Sequence, residues 1–487
     1  MDRVILTELI VYCAVMLLLG YYFSRKKLTQ SDFLLGGKKL PGWALAFSER
    51  ATGESSWLLL GLTGFTFANG LSAIWVCIGI AVGISCAWLF LAKRFMRETN
   101  AHNLLTIPDF LSLKFQAHAR LIRWTATLLI VSFFMFYLGA QFAGAGKTLF
   151  STFDLDITAG ILLTALIVVV YASLGGFMSV VWTDVIQSLL MVITLVVLPV
   201  VALFHIAASD LSIGSALANA PEGVDSWTGG LTGFGLGLLI VNNLAWFFGY
   251  LGGQPQLTSR FMALRNEKEA RTASVVGIIW TVLAYGGAFL IGITALTLYD
   301  PANFSDVETV LPHMVTDLLP SWISGILLAG ILAAIMSTAD SQLLVVTSSV
   351  SEDIMHKALG FNLTERQLVA VSRVTTVVAG IVGLVIALTS ESLVYLVVSW
   401  AWAGVGCTLS AAVILAFFWK RTSGIGIVAT IVTGFLATVV WISTPLEEVF
   451  TSRAATFFMA MVAGVVFSLM FPDRPSYSKN EQKSATV

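Results

Sequence analysis

Charged side chains are scarce in this chain. Only 11% of its 487 residues are Asp, Glu, Lys or Arg, whereas 57% are hydrophobic and the mean hydropathy is +0.88. A typical soluble protein carries about 25% charged residues. The formal net charge is −1, and without a basic patch we expect no nucleic-acid partner. The composition predicts a polytopic membrane protein whose surroundings are the lipid bilayer.

Cysteine is also scarce, and its placement argues against two kinds of site. The four cysteines, Cys13, Cys77, Cys86 and Cys407, all lie within apolar runs. A thiol there behaves as a small buried hydrophobe and not as a disulfide partner or metal ligand. The first apolar run, residues 4–23, lacks a small-residue cleavage site and is long enough to span a bilayer. We therefore expect a retained helix and not a signal peptide.

Long apolar runs occupy most of the chain, and each is long enough to cross the hydrocarbon core as a helix. There are thirteen, at residues 3–23, 41–70, 72–92, 122–148, 157–176, 182–206, 232–256, 273–298, 321–351, 370–389, 393–419, 424–443 and 454–471. The fold class predicted is an all-α membrane protein with about 13 transmembrane helices and no soluble domain. The connection at 93–121 is expected to contain a short helix.

Positive charge is distributed unequally between the two sides of these spans. Most of the 27 Lys and Arg residues fall in loops on one side, and the opposite loops are acidic. Because cationic loops stay in the cytoplasm, we predict a plasma (inner) membrane protein with its N-terminus outside and its C-terminus cytoplasmic. Arg3 and Arg453 fall on the outer side, and Arg50 and Lys147 lie within spans. Lys147 is expected to extend outward near Phe150.

Two of the runs, the second and the seventh, contain residues that interrupt helices. The second carries Gly53 among ionisable and hydroxyl groups at 48–57, and the seventh carries Gly249-Tyr-Leu-Gly-Gly-Gln-Pro255. Glycine and proline free backbone carbonyls that then need a partner. Interrupted spans at matching places in two halves indicate the midplane site of a secondary transporter. The alternative is a pair of packing kinks.

The ninth run places oxygen-bearing side chains deep in the membrane. Ser337, Thr338, Asp340 and Ser341 lie close together there, and spacings of three and four put most of them on one helical face. A charge at the bilayer centre costs about 2.5–3.5 kcal/mol on insertion scales, so such groups are seldom there without a function. Several hard oxygens on one face favour a small hard cation such as Na⁺.

Six short segments, taken in their order and spacing, resemble the sodium/solute symporter family, and within it the sodium/proline symporters. The segments are Phe33-Leu-Leu-Gly-Gly37, Ser56-Trp-Leu-Leu-Leu-Gly-Leu62, Gly175-Gly-Phe-Met-Ser-Val-Val-Trp-Thr-Asp184, Gly253-Gln-Pro255 with Arg260-Phe-Met-Ala263, Leu332-Ala-Ala-Ile-Met-Ser-Thr338, and Ser399-Trp-Ala-Trp-Ala-Gly404. The resemblance implies a leucine-transporter-type fold with two inverted five-helix repeats and alternating access.

The resemblance also implies how the chain is divided. We expect a first peripheral helix and loop at 1–40, a first inverted repeat at 41–206 and a second at 232–419. Two C-terminal helices are expected at 420–471, followed by a cytoplasmic tail at 472–487.

Site residues follow from the same resemblance. One sodium ion is expected between the second and ninth spans, with these ligands: the carbonyls of Ala51, Glu54 and Ala334 and the hydroxyls of Ser337 and Thr338. A possible second sodium ion maps to Asp184, Asp340 and Ser341. Asp184 also fits a simpler role, as a carboxylate at a helix N-terminus. The substrate pocket is expected to include Ser55, Trp57, Tyr137, Trp246, Tyr250, Gln254 and Pro255. Gln141, one helical turn from Tyr137, is also expected there, where it bonds either the substrate or a neighbouring helix. Tyr137, Trp246, Trp400 and Trp402 also fit a simpler role, as interfacial or packing aromatics.

The chain departs from the proline symporters at two places. Those proteins carry an aspartate where Gly53 stands, and this chain has an extra residue in Gly252-Gly253. Glu49 and Arg50 also replace small residues. Arg50 can pair with a carboxylate one turn away at Glu54, or it can bind a substrate carboxylate.

The predicted function is Na⁺-coupled symport of proline or a related small amino acid, and not an enzymatic activity. Its partners are then Na⁺ and a small solute, with no obligate protein partner. Alternatives are Na⁺-coupled symport of an organic acid (monocarboxylate) or a sugar, and a transporter-like sensor. An intramembrane protease that uses Asp184 and Asp340 as a carboxylate pair is a further alternative.

Overall fold

The computed structural model describes residues 3–25, 30–153, 155–361, 363–389 and 394–473. Nearly all of the tail predicted at 472–487 lies outside these ranges. Every regular element within them is helical.

The α-helices of this part of the chain are α1 (Arg3–Ser24), α2 (Gln30–Leu35), α3 (Gly42–Ser56), α4 (Thr63–Asn69), α5 (Ile74–Cys86), α6 (Ala92–His102), α7 (Ile107–Lys114), α8 (Ala119–Phe153), α9 (Ile157–Ala207), α10 (Ile213–Ala218), α11 (Gly233–Leu244), α12 (Trp246–Gly249), α13 (Pro255–Met262), α14 (Glu267–Leu298), α15 (Val310–Leu318), α16 (Ser321–Ser348), α17 (Glu365–Thr389), α18 (Val394–Ala401), α19 (Thr408–Phe418), α20 (Gly424–Ile442), α21 (Leu446–Val449) and α22 (Ser452–Met470). Segments of π-helix continue several of them, at Trp57–Leu62, Ala87–Leu91, Ser349–Ala358 and Trp402–Cys407. Short 3₁₀ turns lie at Gly36–Lys38, Gly70–Ala73, Gln116–His118, Pro301–Asn303 and Val307–Thr309.

Ten helical stretches of the described chain are long and apolar enough to cross a membrane. One of them, Gly42–His102, has 61 residues and would be about 90 Å long if straight, three times the hydrocarbon core. It turns back at Gly70, where φ is +63°. Two further apolar helices, Ile157–Ser173 and Gly233–Gly249, are shorter. With the long stretch divided at Gly70, these helices correspond to the thirteen predicted segments.

Contacts with α14 show that the chain reverses at Gly70. The backbone N–H of Gly42 donates to Glu269 Oε2 at 2.6 Å. Arg97, at the far end of the same stretch, pairs with Glu267 at 2.5 Å. Both ends of the stretch therefore lie at one end of α14, so residues 42–69 and 74–102 run in opposite directions.

The interruption predicted in the second span is present, two residues after Gly53. The backbone leaves the helical region at Ser55, with φ +43° and ψ −173°. A non-glycine residue in this region costs about 1–3 kcal/mol and is typical of functional sites. The surrounding helices must hold this conformation in place, and α3 contacts α9, α14 and α16.

The seventh span is interrupted as predicted, since α12 ends at Gly249 and α13 begins at Pro255. A further break at Gly176, with φ +61°, divides α9 into two helices. Asp184 lies two turns beyond this break and is fully buried. The simpler role suggested for Asp184, a carboxylate at a helix N-terminus, is therefore wrong.

Lys147, predicted to extend outward near Phe150, meets two carboxylates that the sequence did not mark as its partners. Its Nζ lies 2.8 Å from Asp306 Oδ2 and 2.6 Å from Glu308 Oε2. Glu308 is buried and accepts hydrogen bonds from the backbone N–H groups of Val394 and Tyr395, at 3.1 and 2.9 Å. The backbone N–H groups at the start of α18 therefore hold the Glu308 carboxylate beside Lys147. The ammonium group is paired with a buried anion at a helix N-terminus.

The short helix predicted in the 93–121 connection is α7. Asp109 in α7 lies 2.9 Å from Arg123 Nη2 and 2.8 Å from Lys357 Nζ, and Arg123 also pairs with Asp353 at 3.0 Å. Burial raises the pKa of Asp109, but Lys357 and Arg123 outweigh it and hold that pKa below its usual range. This cluster joins α7 and α8 to the end of the α16 stretch.

We predict that Gly287→Ala lowers the melting temperature of the purified protein. An added Cβ would stand 2.1 Å from the carbonyl oxygen of Leu195 in α9, so α9 and α14 would have to separate. Overpacking of this kind costs about 1–3 kcal/mol. Gly286→Ala is the matched control, since nothing lies within 4 Å of a Cβ there and alanine favours a helix. Equal melting temperatures for the two variants would contradict the close α9–α14 contact.

Candidate functional site

The interrupted helix α3 is joined to α16 by hydroxyl groups of α16. Ser337 Oγ donates to the carbonyl oxygen of Ala51 at 3.0 Å and lies 3.1 Å from that of Ala334. Thr338 Oγ1 donates to the carbonyl oxygen of Thr52 at 2.9 Å. All of these groups are fully buried. Four of the five residues expected around the first sodium ion therefore lie together, with Thr52 as an additional oxygen.

Glu54, the fifth residue of that set, is engaged elsewhere. Its carbonyl oxygen accepts the backbone N–H of Trp57 across the break. Its side chain forms an ion pair with Arg50 at 2.5 Å and accepts a hydrogen bond from the Tyr285 hydroxyl. Tyr285 lies on α14, far along the chain from either interruption, and no sequence signal marked it.

Arg50 is at the centre of a buried charge cluster that the sequence only partly predicted. Its guanidinium binds Glu49 through Nε and Nη2, and Glu54 through Nη1. Glu49 also accepts a hydrogen bond from Trp88 Nε1 at 3.0 Å. We call Glu49, Arg50 and Glu54 the charge triad. The formal charge of the triad is −1, and Arg50 is already bound to two carboxylates.

A second buried charge cluster brings together the residues expected around a second sodium ion. Asp340 Oδ2 accepts from the Tyr171 hydroxyl at 2.8 Å, and Asp340 Oδ1 from Ser341 at 3.2 Å. Asp184 Oδ2 accepts from Ser48 at 2.6 Å. The three predicted residues, Asp184, Asp340 and Ser341, therefore share one network.

Arg260 stands in the middle of this second cluster. The sequence placed it among the cationic loop residues, but it is fully buried. Its Nη2 lies 3.0 Å from Asp184 Oδ2, 2.7 Å from Ser341 Oγ and 3.0 Å from Thr52 Oγ1. The Arg260 guanidinium thus lies between the oxygens of Asp184, Ser341 and Thr52. The signal that could have found it was its place in one of the six quoted segments, directly after an interruption.

Four of the expected pocket residues, Trp57, Tyr137, Trp246 and Tyr250, lie around the break at Ser55, which is itself a fifth. The rings of Trp57 and Trp246 lie with their centroids 4.4 Å apart. The Tyr137 hydroxyl lies 3.3 Å from Ser55 Oγ. Trp402 was expected only as a packing residue. Its ring centroid lies 4.2 Å from that of Tyr250, and its Nε1 donates to the Tyr137 hydroxyl at 3.4 Å. We call Trp57, Tyr137, Trp246, Tyr250 and Trp402 the aromatic cluster.

Gln141 bonds a neighbouring helix, which is one of the two roles left open for it, and its amide nitrogen stays available for the other. Its Oε1 accepts from the N–H and the hydroxyl of Ser56, at 3.2 and 2.9 Å. Its Nε2, like Nε1 of Trp57, is buried and has no hydrogen-bond partner in the described part of the chain. Buried donors of this kind are uncommon and are places where a polar ligand can bind.

Two expected pocket residues lie apart from the aromatic cluster. Gln254 accepts a hydrogen bond from Gln256 Nε2 at 3.1 Å and lies against Gly406. Pro255 lines a separate small cavity with Leu34, among other apolar side chains. The extra residue at Gly252-Gly253 falls in the turn between α12 and α13, directly before both residues.

Comparison with known proteins agrees with this architecture. A profile of the "Sodium:solute symporter family" matches residues 33–434. The chain is 33% identical over 470 residues to the high-affinity proline transporter PutP of Bacillus subtilis (strain 168), covering 96% of this chain and 98% of the relative. It is 31% identical over 438 residues to the sodium/proline symporter of Escherichia coli (strain K12), covering 88% and 86%.

Two solved structures resemble the fold. A substrate-bound, outward-open Na⁺-coupled sialic acid symporter superposes with a TM-score of 0.81 at 22% identity, covering 97% of this chain and 99% of that one. MHP1, a nucleobase-cation-symport-1 family transporter, gives a TM-score of 0.50 at 14% identity, covering 94% and 98%. These likenesses confirm the predicted all-α transporter fold. Together with the family profile and the relatives, they show that the chain belongs to the sodium:solute symporter family.

Proposed function

We propose that this protein is a secondary active transporter that couples Na⁺ to the uptake of proline or a related small amino acid by alternating access. The observation that carries the proposal is the polar junction between the interrupted helix α3 and α16. The relatives named as proline transporters, which match nearly the whole chain, support the choice of substrate. A multi-pass transporter needs no catalytic residue, and the Asp184–Asp340 pair serves here as part of an ion-pair network.

The sodium ion would bind where Ser337 and Thr338 meet the carbonyl groups of α3. Hydroxyl groups can rotate, so both side chains can present lone pairs to a cation in place of the hydrogen bonds they now donate. With the carbonyls of Ala51 and Ala334 they form a set of hard oxygens. An ion there would hold α3 against α16. One Na⁺ crossing 100 mV with a tenfold gradient supplies about 2.3 plus about 1.4 kcal/mol, enough for roughly 500-fold accumulation.

The charge triad and the aromatic cluster favour a zwitterion over an organic acid. The triad is negative overall, so it attracts the ammonium group of an amino acid and repels a simple carboxylate. Arg50, which suggested an organic acid, is already bound to Glu49 and Glu54. The rings supply apolar area for a small carbon skeleton. A sugar would leave the net charge of the triad without a partner.

The triad also accounts for Gly53, where the proline symporters carry an aspartate. A Cβ added to Gly53 would lie 3.6 Å from Arg50 Nη2. An aspartate there would therefore compete with Glu54 for the same guanidinium. We propose that Glu54 supplies the carboxylate that stands at position 53 in the proline symporters.

A second sodium ion would have to displace Arg260 from Asp184 and Ser341. We propose one sodium ion in the conformation described, and a second only if Arg260 moves. The two inverted repeats at 41–206 and 232–419, the plasma membrane location and the outside N-terminus belong to the same proposal.

The first test is uptake of labelled L-proline into proteoliposomes, with and without an inward Na⁺ gradient. We expect accumulation that requires the gradient and is inhibited by unlabelled proline. Lactate and glucose serve as competitors for the two alternative substrate classes. Inhibition by lactate or glucose but not by proline would contradict the amino-acid assignment.

Replacing both Ser337 and Thr338 by alanine should raise the Na⁺ concentration for half-maximal uptake by about tenfold or more, because two oxygen ligands are lost. Ser348→Ala is the control, since that hydroxyl on the same helix bonds only the carbonyl of Val345. The measurement is the Na⁺ dependence of initial uptake rates. Unchanged Na⁺ activation in the double variant would place the ion elsewhere.

Glu54→Gln should lower uptake roughly tenfold or more, since it leaves Arg50 with one buried carboxylate fewer. Adding Gly53→Asp to that variant should restore part of the activity, because the new carboxylate reaches Arg50. The same aspartate added to Asp340→Asn should restore none. Rescue of Asp340→Asn but not of Glu54→Gln would show that Asp340 is the residue that replaces the missing aspartate.

A further inference from the structure

Arg453 lies in the first turn of α22, outside the two proposed repeats, yet its side chain reaches the aromatic cluster. The residue is only 5% exposed. Its Cζ lies 4.4 Å from the ring centroid of Trp246. Nη2 donates to the carbonyl oxygen of Asn242 at 3.1 Å, and Nη1 donates to the hydroxyl of Ser399 on α18. One guanidinium thus contacts the interrupted α11–α12 region, α18 and α22.

Arg453 differs from the other buried arginines in having no carboxylate partner. Arg50 binds two glutamates and Arg260 binds Asp184. Within the described part of the chain no carboxylate oxygen lies within 4 Å of Arg453, and its buried Nε has no hydrogen-bond partner. Glu447 instead accepts the backbone N–H of Ser452 at 2.6 Å. The groups in direct contact with the Arg453 guanidinium are therefore neutral, and the charge of Glu447 acts on it only from beyond 4 Å.

A buried cation compensated in this way is unusual, because removing a charge from water is costly unless an opposite charge replaces the water. The face of Trp246 and two neutral oxygens offset part of that cost. A carboxylate would offset more, since guanidinium binds it through two parallel hydrogen bonds. The unpaired Nε is one of the donors that such a fork uses.

The position of Arg453 suggests where that carboxylate comes from. Trp246 is a member of the aromatic cluster, and its ring contacts that of Trp57 at a tilt of 52° next to the break at Ser55. A ligand that packs against these rings is within reach of the guanidinium above Trp246. The charge triad reaches the same ring through Tyr285, whose centroid lies 6.2 Å from that of Trp57, and its negative formal charge suits an ammonium group.

We propose that Arg453 is a specificity-determining residue that binds the carboxylate of the transported amino acid. This inference rests on the proposed function. It assigns carboxylate recognition to a C-terminal helix outside the two repeats, and not to Arg50. Arg453 also donates to Ser399 on α18. Binding of a carboxylate by the guanidinium would therefore change the contact between α22 and α18.

The test compares an acid with its amide in competition against labelled L-proline uptake. In the wild type L-proline should compete about tenfold or more better than L-prolinamide, because the amide lacks the negative charge. In Arg453→Gln the acid should lose that advantage, so the two affinities converge, while Arg453→Lys keeps part of it. Arg97→Gln is the control, because Arg97 forms an exposed ion pair far from the aromatic cluster.

Two outcomes would overturn the inference. If Arg453→Gln weakens acid and amide by the same factor, the residue only anchors helices and does not bind the carboxylate. If Arg453→Gln does not fold, an unchanged acid-to-amide ratio in Arg453→Lys counts equally against it, since lysine keeps the charge but not the fork.

Failure of the proposed function can be told apart from failure of this inference. A folded wild type that takes up no proline contradicts the amino-acid assignment. In that case lactate is compared with lactamide. The measurement is how far each ligand raises the melting temperature of the purified wild type and of Arg453→Gln. Stabilisation by lactate that Arg453→Gln abolishes supports carboxylate binding at Arg453, and stabilisation by neither ligand contradicts it.

Discussion

The structure depends on how charges carried by one interrupted helix are compensated inside the membrane. Helix α3 places Glu49, Arg50 and Glu54 where no water is available, and each is fully or almost fully buried. Such groups are stable there only when they are paired and hydrogen-bonded. The partners come from the π-helical segment after α5, from α14 and from α3 itself, so the packing of several helices follows from this one requirement.

The same helix is held to α16 and α13 by contacts that an ion or a substrate can replace. Ser337 and Thr338 donate to backbone carbonyls of α3, and Arg260 bridges Ser48 and Thr52 to Asp184. These are hydrogen bonds and ion pairs, each worth only a few kcal/mol at most. In the proposed transport cycle, a bound cation would exchange with them without unfolding the surrounding apolar core. This is the physical basis on which ion binding can select one arrangement of α3 and α16 over another.

The sequence predicted features that depend on residues close together in the chain, but it missed ion pairs between residues far apart in it. The interruptions near Gly53 and Gly249, the helix at 107–114, and the pairing of Arg50 with Glu54 all involve residues close together in the chain, where spacing alone decides the geometry. The ion pairs of Lys147 and Arg260 were missed because their partners, Asp306, Glu308 and Asp184, lie more than seventy residues away.

Hydropathy determined the number of helices and their membrane nature, because transfer of apolar side chains from water depends on composition over about twenty residues. Glycine, proline and buried polar residues likewise marked the interrupted spans. Only the tertiary structure decided which cations are paired. It gave Arg50 two carboxylates, set Arg260 beside Asp184, and left Arg453 against Trp246 with neutral partners. Coulomb interactions act through space over a few ångströms, and helix packing brings those atoms together whatever their separation along the chain.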